Sequence, residues 1–362
     1  MARRLFLHVG TVKSATTYLQ AICDDNAARL ADEGLLWLGS AANFSAVADL
    51  FGTTRPDEYG AAALSWSTLV ERIGAHDGDA LVSNELLSLR GPKKVRAFVQ
   101  ALPPTSTRVV VTARDFARVT VSQWQEHVRH RPTGPWADFM GRLTTAGSRD
   151  DPEMAWFWRR QDVPRLVKIW AEQVGIDNVT VVTVPSRDVS PDALVDRFFG
   201  VVGVADTGAL TVPELADNAS LGTYSVELVR RIQQRLDDDD RARLHLVLKY
   251  LLTRRALAER ASDEPALTLT PDQVDWARAQ AAEMAGRLDE LGVRIVGDVD
   301  DLMPRMTGST AAAPPSDDEL LDAAVDALIR LADATDDLAR AVGGERYGDT
   351  VRAVGGRGRP QP

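Results

Sequence analysis

The stretch RLFLHVGTVKSATTYLQ, from Arg4 to Gln20, decides the fold that we expect for this chain. Residues 5–9 are mainly apolar and fit a buried strand, a glycine follows, and the end of the stretch has the spacing of an amphipathic helix. Lys13 and several small or hydroxyl residues stand between the two. Because the first N–H groups of a helix lack intrahelical partners and carry the positive end of its dipole, such a turn suits a phosphate or sulfate group. We therefore expect an anion site at a strand-to-helix turn.

Similar apolar runs recur along the first 212 residues and alternate with longer helical patterns. This alternation predicts the α/β class, with a parallel sheet that is flanked by helices on both faces. Strands are predicted at 5–9, 80–83, 108–112 and 179–184. Helices are predicted at 15–33, 61–73, 92–101, 116–129, 164–174 and 191–202.

The pattern becomes mainly helical after residue 212. Helices are predicted at 221–236, 241–261 and 271–291, with one short strand at 293–296. We predict an α/β core at 1–212 and a mostly helical part at 213–306 that completes the same domain. A linker, an amphipathic helix at 320–342 and a disordered tail are predicted within 307–362.

The composition narrows the classes of function. A net charge of −10 argues against a nucleic acid or an anionic membrane as the main partner. No apolar run reaches the ~18 residues of a membrane span, and the N-terminal apolar run is too short for a signal peptide. Cys23 is the single cysteine, so no internal disulfide can form, and we predict a cytoplasmic protein in which Cys23 is a packed residue. No cluster of Cys and His indicates a metal site.

A second polar element follows the predicted strand at 108–112. Arg114 stands at the end of this strand, and Ser122 follows eight residues later on the next predicted helix. An arginine fork can form paired charge-assisted hydrogen bonds with a phosphate, and a hydroxyl two turns along the helix can close on the same anion. The alternative is structural, since Arg114 and Asp115 could form a local salt bridge or a helix cap.

These two elements resemble those of the sulfotransferases that use 3′-phosphoadenosine 5′-phosphosulfate (PAPS), including related bacterial chains. In that family a strand is followed by Pro-Lys-Ser-Gly-Thr-Thr, and here Val12 and Ala15 replace the proline and the glycine. The replacement at Ala15 is harmful if this position needs a positive φ, and harmless if the helix has already begun there. In the same family an arginine at a strand end and a serine eight positions later bind the 3′-phosphate.

The resemblance implies a P-loop-NTPase-like sheet, PAPS as the sulfuryl donor and no metal. It also implies a set of residues that bind the donor, namely Lys13, Ser14, Ala15, Thr16, Thr17, Tyr18, Arg114 and Ser122. Tyr18 occupies a position where the family often has an aromatic ring that stacks on adenine, although a core position explains it equally well. The resemblance extends over about residues 1–220 with motif support.

Glu85 is the candidate general base, together with Lys13 as the second catalytic residue. It follows the predicted strand at 80–83, so it lies at the carboxyl edge of the sheet, where open α/β sheets hold ligands. The resemblance to the glycan-modifying branch, in which a glutamate is the base, implies that Glu85 takes the proton of an acceptor hydroxyl. The alternatives are a helix-capping carboxylate and a partner for a nearby arginine.

The sequence therefore predicts a PAPS-dependent sulfotransferase whose acceptor is a hydroxyl of a small molecule, a glycan or a lipid. A non-catalytic nucleotide-binding module of the same fold is the alternative, and a kinase that uses ATP is a further one. A true P-loop needs glycines six and one residues before its lysine, and these positions hold Leu7 and Val12. We expect His8, inside the first strand, to be a hydrogen-bonded core histidine.

Overall fold

The computed structural model of the chain describes residues 2–53, 62–103, 105–186, 189–190, 192–213, 220–305 and 314–343. Its centre is a six-stranded parallel sheet in the order β2-β3-β1-β4-β5-β6. The strands are β1 Arg4–His8, β2 Leu35–Leu36, β3 Asp79–Ser83, β4 Ser106–Ala113, β5 Val179–Thr183 and β6 Arg294–Val296. The predicted class, α/β with a parallel sheet flanked by helices, is confirmed.

Fourteen α-helices are described in these parts of the chain. They are α1 Thr16–Asp25, α2 Ala27–Asp32, α3 Ser40–Leu50, α4 Trp66–Ala75, α5 Pro92–Gln100, α6 Phe116–His130, α7 Trp136–Leu143, α8 Ala155–Gln161, α9 Val163–Val174, α10 Asp192–Val202, α11 Thr223–Arg235, α12 Asp238–Leu246, α13 Pro271–Glu290 and α14 Asp317–Gly343. A π-helical segment, Val247–Leu257, follows α12, and short 3₁₀ helices include Glu85–Leu89 after β3.

The predicted helix at 15–33 is two helices, because Asn26 ends the first of them. Its side-chain amide donates to the carbonyl of Ile22 at 2.7 Å and to that of Thr211 at 2.8 Å. The amide oxygen accepts in turn from the N–H of Thr211 at 2.8 Å. A buried asparagine that bonds a distant segment in this way competes with continuation of the helix. The prediction of one continuous helix is therefore wrong.

Two apolar clusters cover the two faces of the sheet. On one face Leu5 and Val109 pack in a cluster with Phe98 and Trp170 from α5 and α9. On the other face Phe6 packs in a cluster that includes helix residues from α1 and α10, among them Ile22, Cys23, Phe198 and Phe199. Because both faces are covered, the central strands are apolar along most of their length. Cys23 is fully buried, as predicted.

The chain divides into two compact units. The first comprises Met1–Gln123, Met140–Leu215 and Leu269–Thr310, and it holds all six strands. The second comprises Trp124–Phe139, Ala216–Thr268 and Ala311–Pro362, and it includes α11, α12 and α14. The predicted boundaries at 212 and 306 stay a prediction, and the predicted linker and tail fall largely outside the described residues. Among the described helices, none has the length and apolar character that crossing a membrane requires.

Candidate functional site

The candidate site lies at the carboxyl edge of the sheet, where β1 runs between β3 and β4. The anion loop, residues 9–15, connects β1 to α1, while Glu85 follows β3 and Arg114 follows β4. The chain leaves β1 toward β2 on one side of the sheet and leaves β4 toward β5 on the other. Such a switch point opens a crevice outside the strand ends, which is where open α/β sheets bind ligands. The fold thus brings the three predicted elements to one edge.

The end of β4 fixes the anion loop through hydrogen bonds to Thr112. The N–H and the hydroxyl of Thr11 both donate to the Thr112 carbonyl, at 3.2 and 3.1 Å. The hydroxyl of Ser14 donates to the Thr11 carbonyl at 2.6 Å and lies 2.8 Å from the Thr112 hydroxyl. Ser14 is fully buried, so its hydroxyl holds the loop in place. Its predicted contact with the donor stays a prediction.

Two glutamines support the loop from the helices behind it. The amide of Gln161 in α8 donates to the Val12 carbonyl at 3.0 Å and to the side-chain oxygen of Gln123 in α6 at 3.0 Å. Both glutamines are buried. The sequence carries no signal for this brace, because a glutamine within a helical pattern normally predicts an exposed position.

His8 joins the three central strands. Its Nδ1 lies 2.8 Å from the Ser83 hydroxyl on β3, and its Nε2 lies 3.1 Å from the Thr112 hydroxyl on β4. The ring is fully buried, and burial lowers the pKa of His8 to about 3. His8 is therefore neutral at physiological pH, and the expectation of a hydrogen-bonded core histidine is confirmed.

Two residues of the loop adopt left-handed backbone conformations, Lys13 with φ 72° and Ala15 with φ 68°. Left-handed residues in turns are typical of backbone nests, in which successive N–H groups converge on an anion. Ala15 is the N-cap of α1 and offers no side-chain cap. Ala15 therefore has the positive φ at which the replacement of glycine by alanine is harmful. A non-glycine residue in this conformation lowers the free energy of unfolding by about 1 to 2 kcal/mol.

Thr16, the first residue of α1, is buried without a partner. Its side chain is inside the protein, and its hydroxyl forms no hydrogen bond with any described residue. Gly10 lies against it: a Cβ at Gly10 would clash with the Thr16 hydroxyl and come within 2.8 Å of the Thr112 hydroxyl. A buried hydroxyl without a partner costs about 1 to 3 kcal/mol, a cost that a bound oxyanion would remove. The loop is therefore suited to a phosphate or sulfate group.

The next two positions of α1 differ from each other in exposure. Thr17 is exposed to solvent. Tyr18 is buried in the apolar cluster that contains Leu19 and Phe198, and burial raises the pKa of its phenol. Tyr18 thus occupies a core position, and stacking on adenine stays a prediction.

Arg114 forms a hydrogen bond with the anion loop. Its guanidinium donates to the Lys13 carbonyl at 3.5 Å, and its side chain is half-buried. The neighbouring Asp115 caps α6, since one carboxylate oxygen accepts from the N–H groups of Ala117 and Arg118 at 2.8 and 3.2 Å. Ser122 is half-buried on α6, and its hydroxyl forms no hydrogen bond within the described part of the chain. Arg114 therefore contacts the loop directly, whereas Ser122 forms no hydrogen bond with the loop.

Glu85 begins the 3₁₀ helix that follows β3, and Asn84 caps that helix. The side-chain oxygen of Asn84 accepts from the Leu86 N–H at 2.9 Å, while its own N–H donates to the His8 carbonyl at 3.1 Å. These bonds tie the backbone beside Glu85 to the end of β1. The Glu85 side chain is half-buried, and the Ser88 hydroxyl donates to its carbonyl at 2.6 Å. The cap is therefore Asn84, and not Glu85.

The chain matches no family model, and no curated protein and no solved structure is significantly similar to it. Within the described ranges, no group of three or more His, Cys, Asp or Glu side chains is arranged to hold a metal ion. The functional interpretation consequently depends on the site itself.

Substitution of Ala15 by glycine tests the left-handed loop conformation. We expect Ala15→Gly to raise the free energy of unfolding by about 0.5 to 1 kcal/mol, because relief of strain exceeds the added flexibility of the unfolded chain. Ala97→Gly, at an exposed position within α5, is the matched control and should lower it by about 1 kcal/mol. Urea unfolding of the three proteins gives these values. A loss of stability in both variants would show that Ala15 is not strained.

The burial of neutral His8 predicts a dependence of stability on pH. Since the pKa of His8 is about 3 in the folded protein and about 6.5 in the unfolded chain, only the unfolded chain binds this proton in between. The contribution of neutral His8 to the free energy of unfolding is complete above pH ~6.5. It falls by about 1.4 kcal/mol per pH unit as the pH is lowered toward 3. Between about pH 6.5 and 5, wild type should therefore lose about 2 kcal/mol more than His8→Gln in urea unfolding. Equal losses would contradict the assignment.

Proposed function

We propose that the protein is a PAPS-dependent sulfotransferase that transfers a sulfuryl group to the hydroxyl of an acceptor. The observation that carries this proposal is the anion loop, in which the unpartnered hydroxyl of Thr16 is buried beside Gly10. Arg114, which follows the adjacent strand β4, contacts the same loop at the Lys13 carbonyl. Two cationic residues and a helix N-terminus at one sheet edge are well suited to a donor with several anionic groups.

The donor has two anionic ends, and the site offers groups for each. The N-terminus of α1 with Lys13 and Thr16 would hold the 5′-phosphosulfate, because backbone N–H groups and a buried hydroxyl can bind its oxygens. Arg114 and Ser122 would hold the 3′-phosphate. When bound, the donor supplies an activated sulfuryl group.

Glu85 and Lys13 have complementary roles in the proposed transfer. The Glu85 carboxylate accepts the proton of the acceptor hydroxyl while that oxygen forms a bond to sulfur. The bond between sulfur and the bridging oxygen breaks, and the electron pair remains on the phosphate. The Lys13 ammonium group offsets the charge that develops on this oxygen.

A non-catalytic nucleotide-binding module is the alternative, and Ala15 is the observation that favours it. A strained non-glycine residue in the loop is compatible with a site that no longer needs the geometry of transfer. The module would bind adenosine 3′,5′-bisphosphate without transferring sulfate to any acceptor. A kinase, in contrast, would prefer ATP and require Mg²⁺.

The 3′-phosphate assignment predicts an effect of Arg114 on nucleotide affinity. We expect Arg114→Gln to weaken the binding of adenosine 3′,5′-bisphosphate about 10- to 150-fold, since a charge-assisted hydrogen bond contributes about 1.5 to 3 kcal/mol. Arg118→Gln, four residues later on α6, removes the same charge and should leave the affinity within about 2-fold. Isothermal titration calorimetry measures both. Unchanged affinity in Arg114→Gln would refute the assignment.

The proposed base predicts a separation of turnover from binding. Glu85→Gln should lower turnover by about 100-fold or more, since general-base catalysis contributes about that much. Its affinity for adenosine 3′,5′-bisphosphate should stay unchanged. Glu172→Gln, at an exposed position on α9, is the control. The assay follows transfer of labelled sulfate from PAPS to a panel of hydroxylated acceptors, and retained turnover in Glu85→Gln would leave Glu85 a structural residue.

A further inference from the structure

A cavity of about 230 Å³ opens on one face of the sheet, near the first residues of β1, β5 and β6. Its lining includes three arginines, Arg4 on β1, Arg108 on β4 and Arg294 on β6. The strand register relates their positions: Phe6 pairs with Arg108, Val110 pairs with Thr180, and Thr180 pairs with Arg294. Since side chains alternate along a strand, all three arginines belong to the face of the sheet that Phe6 covers.

The three arginines differ in how their charges are compensated. Arg4 forms an ion pair with Asp79 and lies over the Phe6 ring at 5.1 Å. Arg108 donates to the carbonyl of Asp177 at 3.3 Å, which satisfies a donor but does not neutralise the charge. Among the described residues, no carboxylate forms an ion pair with Arg108 or with Arg294. Asp177 contributes one carboxylate to the lining, so the cavity keeps a net positive charge within an acidic protein.

We propose that this cavity binds a small oxyanion of two or more negative charges, either inorganic phosphate or a phosphate monoester. Arg108 and Arg294 provide guanidinium forks that match the oxygens of a phosphate. Thr180, also in the lining, adds a hydroxyl. Pockets for drug-sized ligands have about 300 to 1,000 Å³, so the volume suits a phosphate group and its first waters better than a nucleotide.

The proposed cavity is separate from the anion loop. Arg108 precedes Thr112, which holds the anion loop, by four residues, or about 13 Å along β4. Arg294 is on β6, three strands from β1, or about 14 Å across the sheet. One small anion cannot contact both sites. The two sites can therefore be tested independently. If the proposed function is wrong, the proposal for the cavity is unaffected.

Calorimetric titration of the full chain tests the cavity, with inorganic phosphate in one arm and glycerol 3-phosphate in the other. Wild type binds one of these two ligands more tightly. The double variant Arg108→Gln/Arg294→Gln should bind that ligand at least about 10-fold more weakly than wild type. Arg96→Gln/Arg278→Gln removes two exposed charges from α5 and α13 and should match wild type. Lys13→Ala removes a charge from the anion loop, which is also suited to phosphate, so the binding that Lys13→Ala retains belongs to the cavity. The single variant Arg294→Gln, at an exposed position, should show a smaller loss and guards against misfolding of the double variant.

The ligand that binds more tightly identifies the source of the anion. Tighter binding of inorganic phosphate indicates a free ion, and tighter binding of glycerol 3-phosphate indicates a monoester. Unchanged affinity in both Arg294→Gln and the double variant would overturn the proposal. Loss of binding in Lys13→Ala, or no binding by wild type at about 10 mM ligand, would overturn it as well.

Discussion

The hydroxyl of Thr112 is the contact on which the candidate site depends. It lies within hydrogen-bond distance of both His8 Nε2 and the Ser14 hydroxyl, so one buried atom connects the end of β4 to β1 and to the anion loop. On the other side His8 reaches the Ser83 hydroxyl on β3. A buried polar network of this kind is stable only when its members are satisfied, and it then fixes a single arrangement. The position of the loop is therefore determined by the strands and not by its own sequence alone.

This arrangement brings Lys13, Arg114 and Glu85 to one edge of the sheet in an acidic protein. Lys13, Arg114 and the N-terminus of α1 converge on the switch point between β1 and β4, whereas the chain as a whole carries a net charge of −10. Cationic side chains beside a helix N-terminus are suited to a small anionic ligand. The proposed sulfotransferase function requires such a site, and so does the alternative of a nucleotide-binding module.

The sequence predicted the central sheet well, because strands covered on both faces are short apolar runs between helical patterns. The strands predicted at 5–9, 80–83, 108–112, 179–184 and 293–296 are present. It did not predict β2, which has two residues, or the break at Asn26, which depends on a contact with distant Thr211. Tertiary contacts of this kind leave no local periodicity.

The candidate site was predictable in part, because the sequence predicts which strands are parallel. Lys13, Glu85 and Arg114 could be placed at one edge because the carboxyl ends of parallel strands meet there. The left-handed conformation of Ala15 could not, since alanine is also a common helix residue. The brace formed by Gln123 and Gln161 was missed because it joins two helices that the sequence does not relate to each other.

A crystal structure of the protein with adenosine 3′,5′-bisphosphate is the decisive test of the donor site. We expect the 5′-phosphate to accept hydrogen bonds from the Thr16 hydroxyl and the N-terminus of α1, at about 2.7 to 3.2 Å. We also expect the 3′-phosphate to contact the Arg114 guanidinium. A nucleotide that binds away from the loop, or that leaves Thr16 without a partner, would contradict this expectation.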